Sequence, residues 1–164
     1  MTVCRRIAVM AGIAMLIIFG TPTVAQAALA ISVPASVNLG SVPSGTTSLS
    51  GQLGPVTVTA SGLVAPSFVA TVSSTGFTNG TGQTIPNSSI SYWSGPATTA
   101  ALQNTTPGQL TAANKQDLSV SRTAFRSSGL ALSITTIWNP TIVVAIPPAA
   151  VAGTYSGTIT HSVA

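Results

Sequence analysis

Charge is what this 164-residue chain has least of: 4% of its residues are charged, Asp and Glu together number 1, and His numbers 1. Past residue 27 the charged side chains are Lys115, Asp117, Arg122 and Arg126, with His161 as the sole histidine. Without glutamate, and with a lone aspartate, paired carboxylates for glycoside cleavage are excluded. A metal cluster of His, Cys and Asp has too few ligands to form. The formal charge of +4 reflects scarce acids rather than a basic face. A nucleic-acid footprint needs Lys and Arg massed over a surface, and Lys115, Arg122 and Arg126 fall short of that; their window reads as a solvated strand and loop. Cysteine is equally scarce. Cys4 is the only one, and it lies ahead of the domain, so no disulfide framework and no thiol chemistry are available.

A Ser-His-Asp set can be drawn from His161, Asp117 and a serine, but no G-x-S-x-G elbow accompanies it. The better reading makes His161 a strand residue and Asp117 a surface charge. No glycine-rich phosphate motif sits between a strand and a helix. The sequence therefore assigns no catalytic residue, no cofactor and no metal, and the expectation is a non-enzymatic protein.

What is present begins with an export signal. Arg5 and Arg6 precede an apolar run over Ile7–Phe19, which Gly20 and Pro22 break, and Ala25-Gln26-Ala27 supplies small residues for cleavage. The alternative, an uncleaved membrane anchor, needs about 20 apolar residues, and this run is shorter. Residues 1–27 are expected to be a cleaved signal helix, and residues 28–164 one secreted domain with no transmembrane segment.

That domain is rich in Thr, Ser, Val, Ala and Gly. β-Branched side chains favour strands, apolar positions recur with a period of two, and turn residues return at short intervals. The pattern predicts an all-β, Ig-like antiparallel β-sandwich. Strands are expected over 30–33 continuing through 36–39, over 48–59 with a kink at Pro55, over 66–75, and over 88–95. Asn79-Gly80 signals a turn. Residues 95–114 read as a long polar loop, and Leu118 and Val120 as the start of another strand. Residues 134–146 read as one central strand with a bulge or edge at Pro140. The closing strand sets Tyr155, Gly157, Ile159, His161 and Val163 against a polar row, Thr154 to Ser162, placing one face on a core and one in water. N-x-S/T sequons occur at Asn79, Asn87 and Asn104.

Aromatic residues are the remaining recognition candidates. Tyr92 and Trp93 are adjacent in a strand and point to opposite faces. Phe68, Tyr92 and Trp93 are the candidate surface contacts, whereas Trp138 heads an apolar face and is expected in the core.

Two stretches together resemble the WxL-domain surface proteins of Gram-positive bacteria. "SFVATVSSTGF", residues 67–77, resembles the segment around the first W-x-L motif, with Phe68-Val69-Ala70 in its place. "AGTYSGTITHSVA", residues 152–164, resembles the closing strand, with His161-Ser162-Val163 at the second motif. Neither motif retains its Trp or Leu. The resemblance implies a secreted sandwich held non-covalently at the cell wall, with a wall polymer or another surface protein as partner. The alternative is a self-assembling coat, fibre or matrix subunit, because low charge and edge strands permit strand addition between copies.

Overall fold

A computed structural model describes residues 28–62, 66–100, 103–129 and 131–164. The expected export signal, residues 1–27, lies outside the described residues. Fourteen strands carry the fold: β1 (Ala28–Ser32), β2 (Ser48–Gln52), β3 (Val56–Ser61), β4 (Ser67–Ser74), β5 (Phe77–Thr78), β6 (Thr84–Ile85), β7 (Ile90–Trp93), β8 (Ala97–Thr99), β9 (Gln103–Pro107), β10 (Gln116–Asp117), β11 (Arg122–Gly129), β12 (Ser133–Trp138), β13 (Thr141–Ala145) and β14 (Ile159–Val163). They form three four-stranded sheets, ordered β1-β3-β12-β8, β10-β7-β13-β2 and β14-β4-β11-β9, and a small β5-β6 hairpin. Every pairing is antiparallel.

The first two sheets are joined by one bent ribbon. β3 pairs with β12 from Val56↔Trp138 to Ser61↔Ser133, and β2 pairs with β13 from Gln52↔Thr141 to Ser48↔Ala145. Between these registers lie Leu53, Gly54 and Pro55 on one strand and Asn139 and Pro140 on the other. Proline cannot donate to a ladder, so both strands lose regular pairing there. The Leu53 N–H donates instead to the Pro140 carbonyl at 2.9 Å, and Gly54 takes a φ of 82°, a left-handed turn that glycine adopts without a Cβ penalty. Strands that bend from one sheet into another make the corners of a β-sandwich. Residues 48–59 and 134–146, each expected as one kinked or bulged strand, are thus each two strands in different sheets.

The third sheet closes the sandwich. Its inward rows, Phe68, Ala70 and Val72 on β4 and Ala124, Phe125 and Ser127 on β11, are buried. Between Thr123 and Phe125 the β4–β11 register slips, and this bulge buries both Ala124 and Phe125, turning the Phe125 ring to the core. Phe125 stacks on Trp138 across the sandwich, centroids 4.9 Å apart. Val56, Val58 and Ala60 of β3, Ile134 of β12, Ile142 and Val144 of β13, and Ile90 and Tyr92 of β7 complete the core from the other side.

Three expectations need correction. Residues 36–39 follow β1 as irregular chain rather than as strand. Leu118 and Val120 lie in the bend between β10 and β11, with Leu118 buried and Val120 exposed. The segment 95–114 contains β8 and β9. Its polar residues are working parts of the core: Gln103 of β9 accepts at Oε1 from the Ser127 hydroxyl (2.6 Å) and the Thr136 hydroxyl (2.6 Å), and donates from Nε2 to the Thr135 carbonyl (2.6 Å). One amide thereby ties β9 and β11 of the third sheet to β12 of the first. Gln109 is also buried, and its backbone N–H and carbonyl both bond the Ser94 hydroxyl.

Replacing Gln103 by Leu strands the buried Thr136 and Ser127 hydroxyls, at about 1–3 kcal/mol per unsatisfied group. A fall of about 2–4 kcal/mol in urea unfolding free energy is expected. The triple variant Gln103→Leu/Ser127→Ala/Thr136→Val is expected to recover most of it, since no orphaned donor remains.

Candidate functional site

Two straps cross one end of the sandwich. The first, residues 33–46, leaves β1 and is held down where Pro34 lies over Gly54; a Cβ on that glycine would stand 2.8 Å from the Pro34 Cγ. The second, residues 147–158, leads into β14. It is pinned where Phe77 lies against Gly157, leaving no room for a Cβ, and where Thr78 and Ser156 exchange backbone hydrogen bonds at 2.9 Å. The β5-β6 hairpin that presents Phe77 is closed by Asn79, whose Oδ1 accepts from the Thr81 N–H, the Thr81 hydroxyl and the Gln83 N–H. The Asn79-Gly80 turn is therefore a five-residue Asx-type loop.

Beneath the straps lies a cleft of about 940 Å³, at the upper end of the roughly 300–1,000 Å³ of small-molecule sites. Its floor is apolar, built from Leu49, Leu53, Val56, Ile142 and Val144 with Phe77 and Ile85 at one side. His161 of β14 reaches it from the core. No Asp, Glu, Lys or Arg lines it. Val33, Val37 and Val151 line its rim and are 44%, 41% and 49% exposed.

His161 is the inner polar group of this cleft. Its Nε2 lies 3.2 Å from the Tyr92 hydroxyl, and the Trp138 indole N–H donates to the same hydroxyl oxygen at 3.3 Å. With the oxygen accepting from Trp138, the Tyr92 O–H donates to Nε2, which leaves the imidazole proton on Nδ1. Burial raises the Tyr92 phenol far above its ordinary range, the Trp138 hydrogen bond opposing this only in part. Burial also lowers His161 to about 4, so the ring is neutral at pH 7.

Asp117 is committed elsewhere. Its carboxylate accepts from the Ser119 N–H and hydroxyl and pairs with Arg122 at 3.3 Å, and the Ser119 bonds lead the causes that lower its pKa. The drawn set of His161, Asp117 and a serine is not assembled, since each member has a different partner.

The aromatic candidates separate. Tyr92 is 0% exposed and Phe68 3%; both were expected at the surface, and both belong to inward rows of their strands. Trp93, on the opposite face of β7 from Tyr92, is half-buried and alone of the three presents itself as a side-chain contact. Trp138 is fully buried, as its apolar row predicted. The segments at Phe68 and His161 that carry the WxL resemblance lie on neighbouring strands, with Ala70 opposite Val163 and Val72 opposite His161.

A second depression, about 390 Å³, lies on the outer face of the third sheet around the exposed Arg126. Asn104 and Thr106 of β9, and Ser67 and Ser128, surround the guanidinium, with Phe68 at the base. Sequence reading placed Arg126 in a solvated strand but gave no sign of this hydroxyl and amide setting, which arises from pairing Arg126 with Thr106 and Ser128 with Asn104 and Ser67.

Against known proteins, no family model, curated protein or solved structure matches this chain.

A histidine held near pH 4 when folded and at its ordinary 6.5 when unfolded makes the unfolded state bind more protons between those values. Stability is therefore full above about pH 6.5, falls as pH drops through this window, and levels off below about 4, a loss on the order of 3 kcal/mol. Asp117 adds its own loss only lower, because its folded pKa lies below 3.8. Urea midpoints measured across the window are expected to show this slope in the wild type and a flat line in His161→Phe.

Proposed function

We propose that this chain is an exported, non-enzymatic module of the cell surface, an Ig-like sandwich that associates without covalent linkage with an anionic or polyhydroxylated wall polymer. The observation that carries this reading is the Arg126 depression. It offers one guanidinium among hydroxyl and amide groups on a flat sheet face, a setting suited to a chain of sugars or phosphodiesters, since guanidinium recognises oxyanions bidentately. The split commitments of His161 and Asp117 favour binding over catalysis. The WxL resemblance supports the compartment and the mode of retention, and half-buried Trp93 offers a stacking surface on another face.

Residues 28–164, mixed with isolated Gram-positive cell walls, are expected to co-sediment above a heat-unfolded control, and less so as salt rises. Arg126→Glu is expected to lower the bound fraction about tenfold or more, because it replaces attraction by repulsion at the contact. Pelleting no greater than the unfolded control, or unchanged in Arg126→Glu, is the result that overturns the reading.

Self-assembly is the second reading. The edge strands β9 and β14 leave one side of each backbone open to strand addition. Light scattering that stays monomeric as concentration rises removes it.

A further inference from the structure

The cleft beneath the two straps is distinct from the Arg126 face, and its chemistry is opposite. Nothing that lines it carries a formal charge, so a ligand with a buried charge would lose hydration and gain no counter-ion. Of the large apolar side chains exposed at the surface of the described residues, Val33, Val37 and Val151 gather at this single opening. Exposed apolar groups collected at one concavity mark a binding site rather than the scatter of an ordinary surface. Below them Leu49, Val56, Ile142 and Val144 continue the apolar wall inward.

At the inner end stands one directed polar group. The order of donors, Trp138 to Tyr92 to His161, fixes the imidazole proton on Nδ1, and that nitrogen has no protein partner among the described residues. It is also absent from the sealed, unsatisfied polar atoms, which are the Gln109 Oε1 and the Asn139 Oδ1, so it remains open to the space that His161 lines. A donor with no acceptor, at the base of an apolar cleft, matches a ligand that brings one neutral acceptor at the end of an apolar body.

We infer that the cleft binds a single acyl chain presented as a neutral ester, the chain lying along Leu49, Val56, Ile142 and Val144 and the ester carbonyl accepting from the His161 Nδ1–H. The ester is favoured over a free fatty acid by charge: a carboxylate would enter a cleft without a cation, opposite a neutral imidazole. It is favoured over a plain alkane by the otherwise unused N–H. The cleft volume suits a molecule of this class. The site is independent of wall association, so each can fail without the other.

The probe is a long-chain fatty acid methyl ester bearing a terminal pyrene, used below its aggregation concentration, with its free acid and the matching pyrenyl alkane as comparisons. Residues 28–164 are expected to give a saturable rise in pyrene emission with Kd in the micromolar range, and to prefer the ester to both comparisons at pH 7. Val37→Asp and Val151→Asp, at exposed positions where folding is spared, are expected to weaken ester binding about tenfold each by bringing a carboxylate to the rim. His161→Phe is expected to abolish the preference for ester over alkane while binding of the alkane persists; a circular dichroism melt establishes that each variant is folded.

Absence of saturable binding, binding indifferent to both rim variants, or equal affinity for the free acid overturns the inference. Loss of the probe signal as the protein dimerises would assign the cleft to a second copy instead, and displacement by an apolar peptide but not by unlabelled ester would assign it to protein. Wall co-sedimentation on the same samples separates the two sites. Protein that pellets with walls yet leaves the probe dark defeats the acyl site alone. Protein that lights the probe yet stays in the supernatant defeats the wall reading alone.

Discussion

The bent ribbon of residues 48–61 and 133–145 is the constraint from which the rest of this structure follows. With Pro55 on one strand and Pro140 on the other, neither strand can keep its ladder through the middle, and the single bond from the Leu53 N–H to the Pro140 carbonyl holds the corner where the ladder fails. The corner divides one long antiparallel pairing between two sheets and makes a single layer of them, against which the third sheet packs. It also leaves Trp138 as the last paired residue before the bend, opposite Val56. From that position its ring meets Phe125 of the opposing sheet and its indole N–H reaches Tyr92. A straight ribbon would carry these contacts apart. The bend has a cost, for the Oδ1 of Asn139 beside it is buried without a partner.

A sandwich without disulfides and with one ion pair among its described residues must be held by packing and by buried hydrogen bonds whose partners are complete. Gln103 illustrates the second requirement. A buried glutamine amide is costly when half-satisfied and rigidifying when fully engaged, and here both ends of the amide are used, between strands of facing sheets. The Trp138–Tyr92–His161 relay meets the same requirement deeper in the core. Each donor has one acceptor, and the sequence of donation leaves a single N–H directed outward. Satisfying the interior thus produces, as a by-product, the one polar feature of the cleft.

The legible parts of the sequence were those where a local pattern and a tertiary environment agree. The alternation of Phe68, Ala70 and Val72, and of Tyr155, Ile159, His161 and Val163 against threonines and serines, gave both strand and facing, because a period of two needs nothing beyond the strand itself. Trp138 was legible for the same reason. Pro55 and Pro140 announced irregular pairing, but whether a proline makes a bulge, an edge or a corner depends on what lies across from it, and the coincidence of the two kinks is a property of register. The segment 95–114 misled because Gln103, Asn104, Thr105 and Thr106 have the composition of a loop, while the partners that make Gln103 a core residue are 24 to 33 positions away. Tyr92 misled in the opposite sense. Its neighbour Trp93 does face outward, as adjacency required, but the burial of Tyr92 rests on His161, 69 residues further on.

The site residues follow the same division. His161 was visible as a strand residue on the core face, and its chemistry was not, since the desolvation that keeps it neutral comes from β7, β12 and the two straps together. The straps look unremarkable in sequence, a proline-bearing and glycine-bearing stretch on either side of the domain. Their role comes from where they are pinned: Pro34 on the glycine of the corner, and Gly157 under the Phe77 ring. Because the first pin rests on the corner itself, the geometry of the bend and the roof of the cleft are set by the same residue. The Arg126 face, by contrast, depends only on the straight pairing of β9, β11 and β4, which no strap touches. Two chemistries of opposite character, one polar and open, one apolar and covered, can therefore occupy one small sandwich without sharing a supporting element beyond the core between them.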